Sequence, residues 1–325
     1  MPPPSIPPSI PLPTSSLTGV TLTATSGTST TVIGTQTIPL SSLSLGANTV
    51  QITPGSVILT ALQSGATVTP SLNLEYANGL QVVSVTGTSY VPPPLPSLVT
   101  SGLILNYNIN DTLSYTGTGT TITDLQKNSN ATIYNNPPYT STGGGYLTFN
   151  GANQYLITNT SLASKLSPPT TSKVISIFVW MYPMDNGVIV TELGSPAINT
   201  VWYANLIEMV AGNLRFSVWP NGRGFASTIP TPPNTWYYVG LTYSGNTLKA
   251  YVNGQLAGTG TNYSRETPGA AGEGLYYSVA AMGATNLGDG TPANMRFGGM
   301  QVYNIALTDS NVLTNYNTQK SRFGL

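Results

Sequence analysis

Apolar and hydroxyl-bearing residues alternate along most of this chain in short runs. Between about residues 15 and 90 the runs are "GVTLTAT", "STTVIGTQTIPL", "NTVQITPGSVILTAL" and "ATVTPSLNLEYANGLQVVSVTG". A period of two sends successive side chains to opposite faces, the pattern of a half-buried strand. Gly, Pro and the pair Asn78-Gly79 interrupt the runs at roughly the 8–12-residue spacing of a sandwich. The expectation for residues 15–90 is a small antiparallel β-sandwich.

Strands continue beyond residue 98, among them "GLILNYNI", "GYLTFNG", "KVISIFVWMYP", "GVIVTEL" and "TWYYVGLTYSGN". In "LKAYVNGQLAG", Leu248 to Gly258, two runs meet at Asn253-Gly254, the pair that accepts positive φ at both central positions of a tight turn. A hairpin is predicted there, with Ala250, Val252 and Leu256 on paired strands. Only Thr308 to Lys320 carries helical spacing: a Thr or Asp cap, then Val312-Leu313 and Tyr316, with Lys320 at the end.

Proline sets the organisation. Residues 1–14 are Pro-rich and predict an extended arm, about 3.1 Å per residue. "VPPPLPS", Val91 to Ser97, predicts a linker over 91–98, because consecutive prolines cannot donate ladder hydrogen bonds. The second domain is then 99–325. It holds all four Trp and every Lys and Arg.

Composition narrows the chemistry. Charged residues are 6% of the chain, against roughly 25% in ordinary soluble domains. About a quarter of the residues are Ser or Thr, so the polarity is hydroxyl polarity. No window approaches the roughly 18 apolar residues of a spanning helix, and membrane insertion is not expected. The start of the sequence shows neither the basic nor the apolar region of a secretion signal.

Cys and His are both absent, which excludes disulfides, ordinary structural zinc and imidazole-activated nucleophiles. The first basic residue is Lys127 and net charge is zero, so nucleic acid is not an expected partner. Glu75 is the sole charge in the first hundred residues. So neutral a β-domain lacks the usual defence against edge-to-edge pairing, and it predicts coverage by partners in an assembly.

Three blocks, in order, resemble the laminin-G-like, concanavalin-A-like jelly-roll family. They are "SYTGTGTTITDLQKNSNATIYNNPPYTSTGGGYLTFNGANQYLIT"; then "ISIFVWMYP" with "NTWYYVGLTYSGNTLKAYVNGQLAG"; then "FGGMQVYNIALTDSNVLTNYN". The resemblance implies an all-β chain: a small antiparallel β-sandwich followed by a concanavalin-A-like (laminin-G-like) jelly roll with a short C-terminal helix. The opening block is most similar to versions in virus and phage structural proteins. It implies a non-enzymatic virion component, capsid-associated, decorating or part of a fibre, whose partners are capsid or fibre proteins and copies of itself. The alternative is a carbohydrate-binding adhesin for host attachment, at an extracellular surface and with a host glycan as partner.

The family includes glucanases, whose catalytic strand carries Glu-x-Asp-x-(x-)Glu. Neither Glu192 in "VTELGS" nor Glu208 in "NLIEMVAG" has a second carboxylate at that spacing, so hydrolysis is the least expected reading. Glu208 reads instead as a solvated residue of the alternate strand face. Relatives bind calcium near the sandwich rim, and the oxygen ligands available for it are Asp185, Asn186, Asn286 and Asp289, in segments that also carry turn-forming Gly. Asp124 reads as a turn residue. Aromatics for sugar stacking are Trp202, Tyr203, Trp219, Tyr276 and Tyr277, with Asn221 and Arg223 as polar partners. Trp180 and Trp236 match core positions of the family.

Overall fold

The computed structural model describes residues 97–198, 201–218, 224–265, 273–281 and 291–325 with their side chains, and four strands of the first part by their backbone. The chain divides into two compact units, Met1–Leu95 and Pro96–Leu325. The Pro-rich arm over 1–14 and most of the linker over 91–98 lie outside the described residues.

In the first unit β1 (Leu17–Ser26), β2 (Val32–Ile38), β3 (Val68–Tyr76) and β4 (Val83–Thr86) form an antiparallel sheet in the order β2-β1-β3-β4. The Thr/Val alternation is thus realised as ladders, Val20 opposite both Ile38 and Leu74. A second layer of the expected sandwich would fall on residues outside those described.

The second unit begins with β5 (Leu103–Asn108), β6 (Thr121–Ile122), β7 (Ala131–Tyr134), β8 (Tyr139–Thr140), β9 (Tyr146–Asn150) and β10 (Tyr155–Thr158). Next come β11 (Ile175–Pro183), β12 (Gly187–Leu193), β13 (Tyr203–Val210), β14 (Asn213–Phe216) and β15 (Phe225–Ala226). The chain closes with β16 (Tyr237–Ser244), β17 (Thr247–Val252), β18 (Gln255–Gly260), β19 (Tyr276–Val279), β20 (Asn294–Tyr303) and α1 (Asp309–Gln319). One sheet runs β15-β14-β13-β12-β19-β10-β7-β6. The other runs β18-β17-β16-β11-β20-β9-β8, with β5 also paired to β20.

Alternation sorts the side chains of β11 into two cores. Ile175, Ile177, Val179 and Met181 face the opposite sheet and join the main core with Leu241, Val302 and Phe149. Phe178 and Trp180 face the other way, into a second cluster with Trp236, Tyr238, Tyr251, Leu307, Val312 and Phe323. Trp180 and Trp236 are therefore buried as expected, but beneath the C-terminal helix. The Trp180 ring lies 4.4 Å from Phe323 and 5.1 Å from Tyr238.

Thr308 caps α1: its hydroxyl accepts from the Asn311 amide, and the Asn311 side chain accepts from the Thr308 amide. Asn315, fully buried, donates to the Tyr303 hydroxyl and accepts from the Val99 amide, tying the helix to both ends of the unit. The hairpin turn has Asn253 at φ 51° and Gly254 at φ 79°. Ala250 and Val252 are buried, whereas a bulge after Ala250 leaves Leu256 44% exposed.

Candidate carbohydrate-binding surface

Among the described residues no helix covers the outer face of the sheet that ends in β15 and β6, and strand register fixes what stands there. One row crosses it: Thr121 opposite Thr132, Thr132 opposite Ile157, then Ser278, Thr191 and Asn205. After β19 the chain turns at Ala280, φ 58°, so that the Ala281 carbonyl accepts from the Thr191 hydroxyl at 2.9 Å. Thr191 and Ser278 are consequently buried on what would otherwise be an open face. Farther along, Glu208 is in register with Arg215 and is only 7% exposed, which corrects its expected solvation.

Of the aromatics expected to bind sugar, three come together. Tyr203 and Tyr276 stand on either side of Leu193 in the ladder, both half-buried. Trp202 lies against Gly194, where a Cβ would come 2.5 Å from its indole nitrogen, and Gly274 makes the same room for Tyr276. Tyr277 does not belong with them. One step out of phase, it points into the core with no exposure, and its hydroxyl donates to Glu192 at 3.1 Å. Trp219, Asn221 and Arg223 lie outside the described residues.

Glu192 shares that interior. Arg265, 1% exposed, donates to its carboxylate at 2.5 Å and to the Lys173 carbonyl at 3.0 Å. Burial by itself would lower the Arg265 pKa, but the adjacent carboxylate raises it, and the guanidinium stays charged. Burial first, then the charge of Glu192, pushes the Tyr277 hydroxyl well above its ordinary range, so it remains a donor. This closed, neutral cluster fixes the start of the connection from β18 to β19 and faces no solvent.

Asp124 is a turn residue with a larger part than expected. Fully buried, its carboxylate accepts from the amides of Asn106, Gln126, Asn128 and Ser129. For the proposed calcium ligands, Asp185 accepts from the Asn186 amide and Asn186 from the Gly212 amide, both exposed and both serving turns. Asn286 and Asp289 lie outside the described residues. Among the described residues no three acidic groups converge.

Sequence reasoning passed over a pair on β7 and β10. Tyr134 and Tyr155 are directly opposite, half-buried, and stacked with centroids 4.6 Å apart and planes 17° from parallel. Beside them the Gln154 amide donates to the Asn135 carbonyl, and Asn135 donates to the Asn153 carbonyl, which holds exposed amide groups in place. The available signal was the phase of "ATIYNN" and "QYLIT": each Tyr is offset by one from a buried Ile or Leu.

Two antiparallel sheets closed over one core, with aromatics left half-exposed on a helix-free face, define a jelly-roll sandwich of the lectin and glucanase class. Residues 141–313, more than half of the chain, match the family model of the concanavalin A-like lectin/glucanases superfamily, and the chain belongs to that superfamily. Among solved structures it is similar to the Trypanosoma rangeli sialidase in complex with the inhibitor DANA, at 14% identity and TM-score 0.51, over 79% of this chain and 43% of that one. Domain 4 of a GH43 extracellular arabinanase from Geobacillus stearothermophilus, in complex with arabinotriose, matches at 16% identity and TM-score 0.47, over 66% of this chain and 98% of that one. The binding domain of botulinum neurotoxin serotype D/C matches at 14% identity and TM-score 0.48, over 67% and 52%. This chain thus spans less than half the length of the sialidase, and at these identities the likeness shows the fold alone. No curated protein sequence matches it.

The expectation that the chain is not an enzyme is corrected by these neighbours. The superfamily includes glucanases, and the sialidase it resembles is a glycoside hydrolase, so the fold is one that hydrolases carry. The missing Glu-x-Asp-x-Glu strand rules out one arrangement of carboxylates and no more.

Proposed function

We propose that the second unit binds carbohydrate on the outer face of its helix-free sheet, with the stacked Tyr134–Tyr155 pair as the platform. The pair carries this reading. Rings held by a cross-strand neighbour lose little freedom when a pyranose C–H face settles on them. On the far side of Tyr134 the strand gives way to Gly119, where even a Cβ would meet nothing within 4 Å, so a ring has room to approach. The fixed Asn135 and Gln154 side chains supply acceptors at the edge for sugar hydroxyls. Membership of a superfamily of lectins and glucanases supports the ligand class.

The test is a glycan array on the purified chain, followed by titration of any hit against Tyr155→Ala. Loss of about tenfold or more in affinity is expected from removing one stacking ring, at roughly 1.4 kcal/mol per factor of ten. Unchanged binding by Tyr155→Ala and Tyr134→Ala would place the ligand elsewhere and overturn the reading. Reducing ends released from the same ligand would add turnover to binding.

The finer part of this proposal is that the chain serves in a virion, its first unit assembling with copies of itself or with capsid or fibre proteins. One charge, Glu75, in a hundred residues supports it. Light scattering is expected to give a defined oligomer for the full chain and a monomer for residues 99–325, and two monomers would refute it.

A further inference from the structure

The helix-bearing sheet carries a second surface feature on the part of its outer face that the helix leaves uncovered. Arg296 on β20 is in register with Tyr182 on β11 and with Thr148 on β9. Its guanidinium carbon lies 4.4 Å from the centroid of the Tyr182 ring and 5.0 Å from that of Tyr146. Both rings also pack edge-on against Trp236, at 5.7 and 5.6 Å. The clamp is therefore anchored in the second core and does not depend on the arginine to hold its shape.

Aromatic contact takes up the faces of a guanidinium and leaves its edges, with five N–H donors in one plane. At Arg296 those donors make no hydrogen bond and no ion pair with any described residue. Two other arginines are engaged: Arg265 is paired to Glu192, and Arg322 donates to the Gly144 and Gly298 carbonyls and to Asn108. Asp185, three residues beyond Tyr182, accepts from the Asn186 amide instead. Arg296 is half-buried, so its charge is partly desolvated and its position fixed before any ligand arrives.

We propose that Arg296 is the anion-recognising residue of a binding site for a sugar carboxylate, clamped by Tyr146 and Tyr182. A carboxylate matches the planar edge of the guanidinium with two parallel hydrogen bonds. Hydroxyls next to it on the sugar meet Thr148, Asn294 and Asn150, which line the same face in register. The site is on the opposite sheet from the tyrosine platform and shares with that reading only the class of ligand.

The probes are trigalacturonate with its methyl ester, and sialyllactose with lactose, titrated calorimetrically against the full chain at low salt. At least one acid is expected to bind, its neutral counterpart about tenfold or more weaker, because a charge-assisted bidentate contact is lost. Arg296→Gln is expected to remove that preference for the acid, and Arg296→Lys to lose most of it, since an ammonium cannot present two parallel donors. Which acid binds tells a uronic from a sialic ligand. Tyr155→Ala is expected to leave acid binding intact, which separates this site from the platform. Thermal melts of Arg296→Gln close to those of the parent exclude misfolding as the cause of any loss. Binding of neither acid, equal binding of acid and neutral forms, retained preference in Arg296→Gln, or binding of a hexaglutamate peptide in place of the sugars would each overturn the proposal.

Discussion

The two sheets of the jelly roll are written in the same alternating code and end with opposite outer faces. On β11 the outward residues Phe178 and Trp180 are wholly buried, because α1 and the residues up to Phe323 cover them. On β7 and β10 the outward residues Tyr134 and Tyr155 stay half-exposed, with no helix among the described residues over that sheet. An aromatic at an outward strand position is thus a core residue or a surface platform according to an element far away in sequence. Burial by a helix converts the same ring from a solvent-facing group into a stabilising one.

Replacing the covered ring gives the largest expected effect. Trp180→Ala removes the side chain on which Phe323, Tyr238 and Tyr316 all pack. A loss of about 3–5 kcal/mol is expected, read by denaturant unfolding of the second unit. A loss below about 1 kcal/mol would mean that α1 does not shield this face in solution.

Glu192→Gln probes the interior between the two faces. It leaves Arg265 charged and buried without its counter-ion, and about 3–5 kcal/mol is expected to be lost. Glu192→Leu combined with Arg265→Met should regain much of it, since a well-packed apolar pair carries no desolvation cost. If the double variant were no better than the single one, the cluster would be stabilising by more than charge neutralisation.

The smallest effect belongs to the uncovered sheet. Tyr155→Ala loses one ring contact in a partly solvated setting and should cost about 1 kcal/mol or less. The same substitution is the one expected to weaken glycan binding most. Stability and ligand affinity should therefore separate between Trp180 and Tyr155, and a large stability loss at Tyr155 would erase the distinction between the two faces.

Much of the frame was legible in the sequence because it rests on local rules. The Asn253-Gly254 turn, the Thr308 cap with its helix and the strand phase of "ISIFVWMYP" follow from neighbouring residues alone. The candidate surface was half legible. Trp202, Tyr203 and Tyr276 did converge, while Tyr277 was misplaced because a tandem Tyr-Tyr in a strand sends one ring to each face, and only the register with Thr158 and Glu192 says which. Arg296 drew no notice in "MRFGGMQVY", since its meaning lies in the two tyrosines brought beside it from β9 and β11. Exclusion of enzymatic activity failed for a related reason. A strand motif tests one local spacing of carboxylates, whereas a fold can assemble groups from several strands.

By itself the sequence determined a chain of alternating strands, a Pro-rich break over 91–98, a late capped helix, and a chemistry without thiol or imidazole. The tertiary structure alone decided which outward faces are covered, that Glu192 has Arg265 for a counter-ion, and that Arg296 has none among the described residues. The reason is physical. Periodicity and turn preference are set by each residue and its near neighbours, but burial and charge pairing are set by whatever the fold carries in from tens to hundreds of residues away.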